Sequence, residues 1–322
     1  MFYQSVGRGL IALSLAAALP ISAHAAPRNK DAFALQVTLD RAGFSPGVID
    51  GTMGRLTREA LKGFQEAKGL QVTGDINPET KAALGELSAA TETVEIIDPG
   101  PLQARIPKDV AEQAKLDGLG YTSLEEALAE RYHTTPAVLR ALNPHGEFAV
   151  GRQITVPAVA SVGDGAATND WEMTLDKLGV EKSQPAAAKV VVDKSDLNVR
   201  VLDPAGKLVA LFPATIGSRH DPLPIGTWKI RGVAKLPSFH YNPDLFWDAG
   251  AKDDKAKLPA GPNSPVGVAW IDLSKEHYGI HGTPEPEMIS RTSSHGCIRL
   301  TNWDVAKLAQ MVRPGTPAIL QD

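Results

Sequence analysis

A single cysteine, Cys297, occurs in 322 residues. No internal disulfide can form, so this thiol stays free or pairs with another molecule. A basic field is also missing: 33 Lys and Arg stand against 37 Asp and Glu, a net charge of −4, and no stretch gathers cations into a stripe with interleaved aromatics. Nucleic acid is thereby excluded as a partner class. No apolar run after Ile21 is long enough to suggest a membrane span. The run from Leu10 to Ile21 is itself too short to cross a bilayer comfortably and leads into Ala23-His24-Ala25, small residues at signal-peptidase spacing. Residues 1–25 are therefore expected to be a cleaved secretory signal and the mature chain to be exported. An unpaired thiol in an oxidising compartment risks damage, which makes the neighbours of Cys297 informative.

What is present divides into modules. Within 31–87, Leu35, Leu39 and Ala42 recur at helical spacing and stop at Gly43; Ala60, Leu61, Phe64 and Ala67 stop at Gly69; and Asn77-Pro78 opens a third helix through Leu84. Gly43-Phe44-Ser45-Pro46-Gly47-Val48-Ile49-Asp50-Gly51 falls between the first two runs, Phe64-Gln65 within the second, and Thr73-Gly74 before the third. The stretch resembles the three-helix peptidoglycan-binding domain throughout. Residues 88–107, with Pro99-Gly100-Pro101, have the composition of a linker.

In 108–157, Ser123 and Glu126 form a capping box, and Thr135-Pro136 opens a second helix. After Asn143-Pro144, Val150 to Pro157 reads as a turn entering a strand. This order is similar to a LysM glycan-binding module, a small α+β unit. The Gly-Asp pair usual at its front is replaced by Gly118-Leu119-Gly120-Tyr121, so a glycan binder and a spacer that keeps only the fold both stay open.

Residues 158–187, rich in Ala, Gly, Ser and Pro, are expected to be a second linker. From 188 to 322 the pattern turns to β. Val190-Val191-Val192, Leu197 to Leu202, Leu208 to Ile216, Gly226 to Ile230, Val266 to Leu273 and Thr316 to Leu320 read as strands, and Asn302 is placed as the cap of one late helix. A mostly β, sandwich-like domain with a C-terminal helix is the expectation.

Cys297 lies in Ser294-His295-Gly296-Cys297-Ile298-Arg299, and a second His-Gly pair, His281-Gly282-Thr283, lies upstream. A thiol needs a nearby imidazole to accept its proton, and the imidazolium then returns that proton to a leaving amine. His281 and Cys297 can supply the pair. Gly282 and Gly296 allow a close backbone approach, and peptide N–H groups near the sulfur can hold a developing oxyanion.

These two motifs, with Ile216-Gly217, Pro224-Ile225-Gly226-Thr227-Trp228 and Pro265-Val266-Gly267, resemble the L,D-transpeptidase catalytic domain from about Val190 to Leu320. The resemblance implies that Cys297 is the nucleophile, His281 the base and the Gly282 carbonyl its orienting acceptor. It further implies an oxyanion hole of main-chain N–H groups from His295, Gly296 and Cys297, with Ser294 and Arg299 shaping the site or steadying substrate. Ile289-Ser290 departs from a frequent Ile-Gly. The implied reaction forms a thioester with a peptidoglycan stem tetrapeptide, releases D-Ala and passes the acyl group to an amine, giving a 3→3 cross-link. Lipoprotein lysine, a D-amino acid or water would be other acceptors. A periplasmic, wall-associated location, peptidoglycan and an outer-membrane lipoprotein as partners, and acylation of Cys297 by carbapenems are implied as well; no cofactor is.

Three readings compete. A metal site of His281, His295 and Cys297 lacks a fourth ligand nearby. A non-catalytic wall binder would have no use for the Cys-His pair. Hydrolysis of the thioester would make a peptidase or amidase, and acceptor choice lies in pocket shape rather than in the nucleophile. The aromatic segment from Pro237 through Phe246-Trp247 to Pro265 is long enough to line or cover a site, or to pack on the sheet. His220, His240 and His277 have no motif around them and read as surface or core residues.

Overall fold

The computed structural model describes residues 29–85, 87, 90–159, 167–245 and 254–322; the expected signal, 1–25, and Phe246-Trp247 lie outside them. Helices α1 (Lys30–Arg41), α2 (Arg55–Ala67) and α3 (Pro78–Leu84) form the first unit. Asn29 caps α1 and Asn77 caps α3, each side chain accepting first-turn N–H groups. Two buried glutamines fix the turns: Gln36 Oε1 accepts from Asp50 and Gly51 N–H (3.0 and 2.7 Å), and Gln65 Oε1 accepts from Thr73 and Gly74 N–H (both 2.9 Å). These bonds are the physical reason for the ordered Asp-Gly, Phe-Gln and Thr-Gly motifs.

The second unit is built on β1 (Thr91–Glu95), antiparallel to β2 (Gln153–Pro157), with α4 (Val110–Gln113), α5 (Leu124–Arg131) and α6 (Pro136–Leu142) between them. The stretch expected as a linker over 88–107 thus carries a strand: the β-branched residues of Thr91–Glu95 pair along β2 and Ile96 is buried. Ser123 caps α5 as expected, but Glu126 reaches back to Thr122 N–H (2.7 Å) instead of to the cap residue. The second expected linker, 158–187, likewise contains α7 (Asp170–Lys177), capped by Asn169, with Trp171 and Leu175 buried in the main core. Its Trp and Leu at helical spacing outweigh the small residues around them.

The third unit runs β3 (Lys189–Asp193), β4 (Asn198–Leu202), β5 (Leu208–Pro213), β6 (Thr215–Ile216), β7 (Gly226–Lys235), β8 (Phe239–Tyr241), β9 (Ala256–Leu258), β10 (Ala269–Leu273), β11 (Gly279–His281), β12 (Ile298–Arg299), α8 (Asn302–Met311) and β13 (Pro317–Gln321). Nine strands form one sheet in the order β5-β4-β3-β13-β7-β10-β11-β12-β6, while β8 and β9 pair separately. This corrects the sandwich-like expectation. The two end strands of the order, β5 and β6, follow one another in the chain with only Ala214 between them, so the sheet must curl until its edges nearly meet, almost closing a barrel. Its core holds Phe212, Ile271, Ile280, Ile298 and α8's Trp303. Alternation could show that strands exist; it could not show that two belong to opposite edges.

The units dock closely. Leu208 and Leu211 of β5 join the core of the helical unit, and Phe44 stands edge-on to Phe64 (5.9 Å, 90°). Helix α8 is the common support. Asp304 accepts from Ser45 Oγ (2.8 Å), Lys307 Nζ donates to Asp40 (3.0 Å), and Trp303 stacks on His133 (5.0 Å, 9°), which also contacts Asp40 (2.9 Å). Burial pushes the Asp40 carboxyl up, but the His133 ring and the Lys307 ammonium outweigh it and hold the group below the usual carboxylate range. Removing one partner of a buried pair strands the other charge. Lys307→Met should therefore destabilise the chain by about 3–5 kcal/mol, and adding Asp40→Leu should recover much of the loss; urea unfolding of the single and double variants checks this.

Candidate active site

Strands β11 and β12 run parallel, with Ile280 opposite Ile298 and His281 opposite Arg299. Successive side chains alternate between faces. The two isoleucines are fully buried on the core side, so His281, Arg299 and the preceding Cys297 share the other face. Sulfur and imidazole therefore lie on one face of two adjacent strands, and both line a cavity of about 700 Å³. The cavity wall includes Phe239, Tyr241 and Leu258 of the β8–β9 hairpin, Tyr278, Arg299, and Val110 and Gln113 of α4 from the second unit. The segment expected to line or cover the site does line it over its described residues.

His281 is buried and its Nδ1 lies 2.7 Å from the Gly282 carbonyl oxygen. A carbonyl only accepts, so Nδ1 must carry the proton and Nε2 is left as the basic nitrogen. Trp270, its cross-strand partner on β10, stacks on the ring (5.3 Å, 14°). Burial, reinforced by the positive charge of Arg299 and opposed by the Gly282 bond, lowers the imidazole from 6.5 to about 4. Cys297 is half-buried, and its Sγ lies 3.8 Å from the His277 carbonyl oxygen. Burial pushes the thiol up, against the Gly279 N–H and Arg299, which both favour the thiolate. Burial thus favours the neutral form of each group, the thiol and the imidazole alike.

Gly296 takes φ +95°, and a Cβ there would fall 2.7 Å from the Tyr278 ring. Glycine is required at this turn on both counts. Ser294 is buried, donating from Oγ to the Cys297 carbonyl (2.5 Å) and from N–H to the Gly217 carbonyl (3.1 Å). It ties the loop to the Ile216-Gly217 strand end. His295 also lines the cavity. Ser290 occupies the left-handed region (φ +60°), where the family often has glycine, and its Oγ donates to the Ala214 carbonyl (2.8 Å). The side-chain bond offsets the cost of that conformation, so the loop keeps its path.

The structure brings together Cys297, His281, Gly282, Ser294, His295, Gly296 and Arg299. Sequence reasoning missed Trp270, Tyr278 and the carbonyl of His277. It also placed Asn302 as the cap of α8. Thr301 is that cap, accepting from Asp304 N–H (3.1 Å), while the Asn302 side chain turns into the core.

Residues 187–320 match the family model of the L,D-transpeptidase catalytic domain, and residues 28–84 that of a peptidoglycan binding domain. The chain carries an L,D-transpeptidase catalytic domain. The L,D-transpeptidase YkuD of Bacillus licheniformis is 27% identical over 194 residues, spanning 59% of this chain and 89% of its own length. The Bacillus subtilis protein of the same name is 53% identical over 55 residues, 17% of this chain and 34% of its own. Among solved structures, an L,D-transpeptidase from Mycobacterium smegmatis aligns with a TM-score of 0.34 at 23% identity, over 41% of this chain and 58% of that one. The transpeptidase domain thus takes up less than half of the chain, and the helical unit matches the second family.

Because burial disfavours the thiolate and leaves the imidazole neutral down to about pH 4, the transpeptidase should show no reactive plateau in mildly acidic buffer. The rate of Cys297 alkylation by iodoacetamide should climb with pH beyond the ordinary thiol range. A flat, fast rate across pH 5–7 would instead indicate a preformed thiolate–imidazolium pair.

Proposed function

We propose that the chain is a peptidoglycan L,D-transpeptidase in which Cys297 attacks the acyl carbonyl of a stem tetrapeptide and His281 handles the protons. The observation that carries this is the shared face of β11 and β12, with the Nδ1–Gly282 bond leaving Nε2 basic. As Sγ attacks the carbonyl carbon, the thiol proton passes to Nε2; the tetrahedral oxyanion then collapses, the bond to D-Ala breaks, and Nε2 protonates the departing amine. The thioester is resolved by an amine, whose proton goes to Nε2 before returning to the sulfur. Main-chain N–H groups of His295, Gly296 and Cys297 are assigned to the oxyanion, each such donor contributing on the order of 10²–10³ in rate. Arg299, on the cavity face beside the sulfur, suits a substrate carboxylate.

The neutral resting pair fits general-base attack, in which the thiol ionises only as it reacts. It also makes the sulfur a poor target for oxidants, as suits an exported, periplasmic enzyme released by cleavage after Ala25. A 3→3 cross-link is the favoured product, since a cavity of about 700 Å³ with an apolar hairpin wall suits a second stem better than it suits water. A lipoprotein lysine is the alternative acceptor. The LysM-like reading of the second unit is supported by the α5–α6 helix pair leading into β2, with β2 paired to β1 and the short α4 as an addition, and it would give the chain a second hold on the wall beside the helical unit.

Mature protein incubated with defined tetrapeptide muropeptides, then followed by intact-mass spectrometry, tests the assignment. The expected result is a Cys297 adduct lacking the terminal D-Ala, followed by a cross-linked dimer, with a carbapenem adding its own mass at Cys297. Cys297→Ala should abolish all three while sacculus binding persists; turnover surviving that substitution would overturn the assignment of nucleophile.

A further inference from the structure

Glu130 lies on α5 of the second unit, buried at 5% exposure, and its carboxyl does not face solvent. Oε2 accepts from Tyr121 Oη (2.8 Å) and Oε1 accepts from Asn302 Nδ2 (2.9 Å), so the carboxyl bridges the second unit to the transpeptidase domain. Asn302 is fully buried. Its amide also donates to the Pro262 carbonyl (3.0 Å), and its Oδ1 accepts from Val268 N–H (3.3 Å). Both ends of this side chain are therefore held.

Asn302 Oδ1 fills a gap left by two glycines. A Cβ on Gly267 would fall 2.0 Å from it and one on Gly282 would fall 2.3 Å from it, and the two glycine backbones approach each other at this point. Gly282 N–H donates to the Val266 carbonyl (3.1 Å), which ties the two segments together. The carbonyl of this same Gly282 accepts from His281 Nδ1 (2.7 Å). A continuous path thus runs from Glu130 through Asn302 and the glycine crossing to the imidazole.

We propose that Glu130, contributed by the second unit, is a positioning residue for the transpeptidase reaction, fixing through Asn302 the Gly267–Gly282 crossing whose carbonyl orients His281. The inference rests on His281 being the base, and it assigns the second unit a part in the chemistry besides any hold on the wall. Burial, opposed by the bonds from Tyr121 and Asn302, pushes the Glu130 carboxyl up to about 8. Burial thus outweighs the two donors, which by themselves favour the carboxylate. Gly at 267 and 282 leaves these backbones with no side chain of their own to pack, and the Asn302 amide occupies the space.

The test uses the full chain with Glu130→Ala and Glu130→Gln, measuring kcat and KM for a tetrapeptide donor, melting temperature, and the imidazole NMR signals of His281. Misplacing a base by a fraction of an ångström is expressed in the transition state. Glu130→Ala is therefore expected to lower kcat roughly tenfold or more with little change in KM, and to move the His281 signals. Glu130→Gln keeps a carbonyl oxygen toward Asn302 and should restore most of kcat. Unchanged kcat, or a fall in kcat with unmoved His281 signals, overturns the proposal whatever the melting temperature does. Should Glu130→Ala fail to fold, Glu130→Asp withdraws the carboxyl by one methylene and is judged by the same two readouts. If the unmodified chain shows no turnover, the enzymatic reading fails, and the His281 signals still decide the positioning.

Discussion

Everything chemical in this chain depends on the pairing of two short parallel strands, β11 and β12. With Ile280 opposite Ile298, the core side of both strands is apolar and the other face carries His281, Cys297 and Arg299. A slip of one residue in either strand would turn its reactive side chain inward and an isoleucine outward. Burial of the isoleucines therefore fixes the candidate site: the hydrophobic term that holds the sheet together also sets which side chains share the cavity face. Gly296 and Ser290, both at positive φ, shape the loop that returns the chain from β11 to β12, and Ser294 ties that loop to the neighbouring strand end.

The same burial sets the electrostatics. A half-buried thiol and a buried imidazole each avoid their charged forms, and Arg299 acts on the two in opposite senses, favouring a thiolate and disfavouring an imidazolium. Trp270 on one side of the ring and the Gly282 carbonyl at Nδ1 hold the imidazole so that a single nitrogen remains to act. In the proposed reaction the proton therefore moves during attack, and main-chain N–H groups meet the charge as it develops. Cavity walls come from more than one unit, since α4 and the β8–β9 strand pair line the same cavity as the sulfur. Such a composite wall gives the transpeptidase domain a means of selecting substrate that the sheet alone does not provide.

How much of this was legible in the sequence follows from what each signal encodes. Cys297, His281 and their glycines stood out because a lone thiol beside one His-Gly and downstream of another is an uncommon combination. The helical unit was legible because its Gln36 and Gln65 staples impose ordered turn motifs. Trp270 and Tyr278 were not, since an aromatic residue on a strand or turn looks like core until its neighbour across the sheet is known. Asn302 was assigned to a cap by its position next to a helix, whereas Thr301 takes that bond and frees the amide for long-range contacts. The strand at 91–95 and the helix at 170–177 were hidden by polar or small residues around them, and their partners lie far away in sequence, in β2 and in the main core. Local composition carries no information about such partners.

The decisive quantities are the tautomer and the charge of His281 in the resting protein. Nitrogen-15 NMR of the imidazole in the free protein, titrated from pH 8 downward, reads both. A neutral ring protonated at Nδ1, with Nε2 unprotonated, is expected to persist to about pH 4. An imidazolium at neutral pH, or a ring protonated at Nε2 with Nδ1 bare, would contradict this.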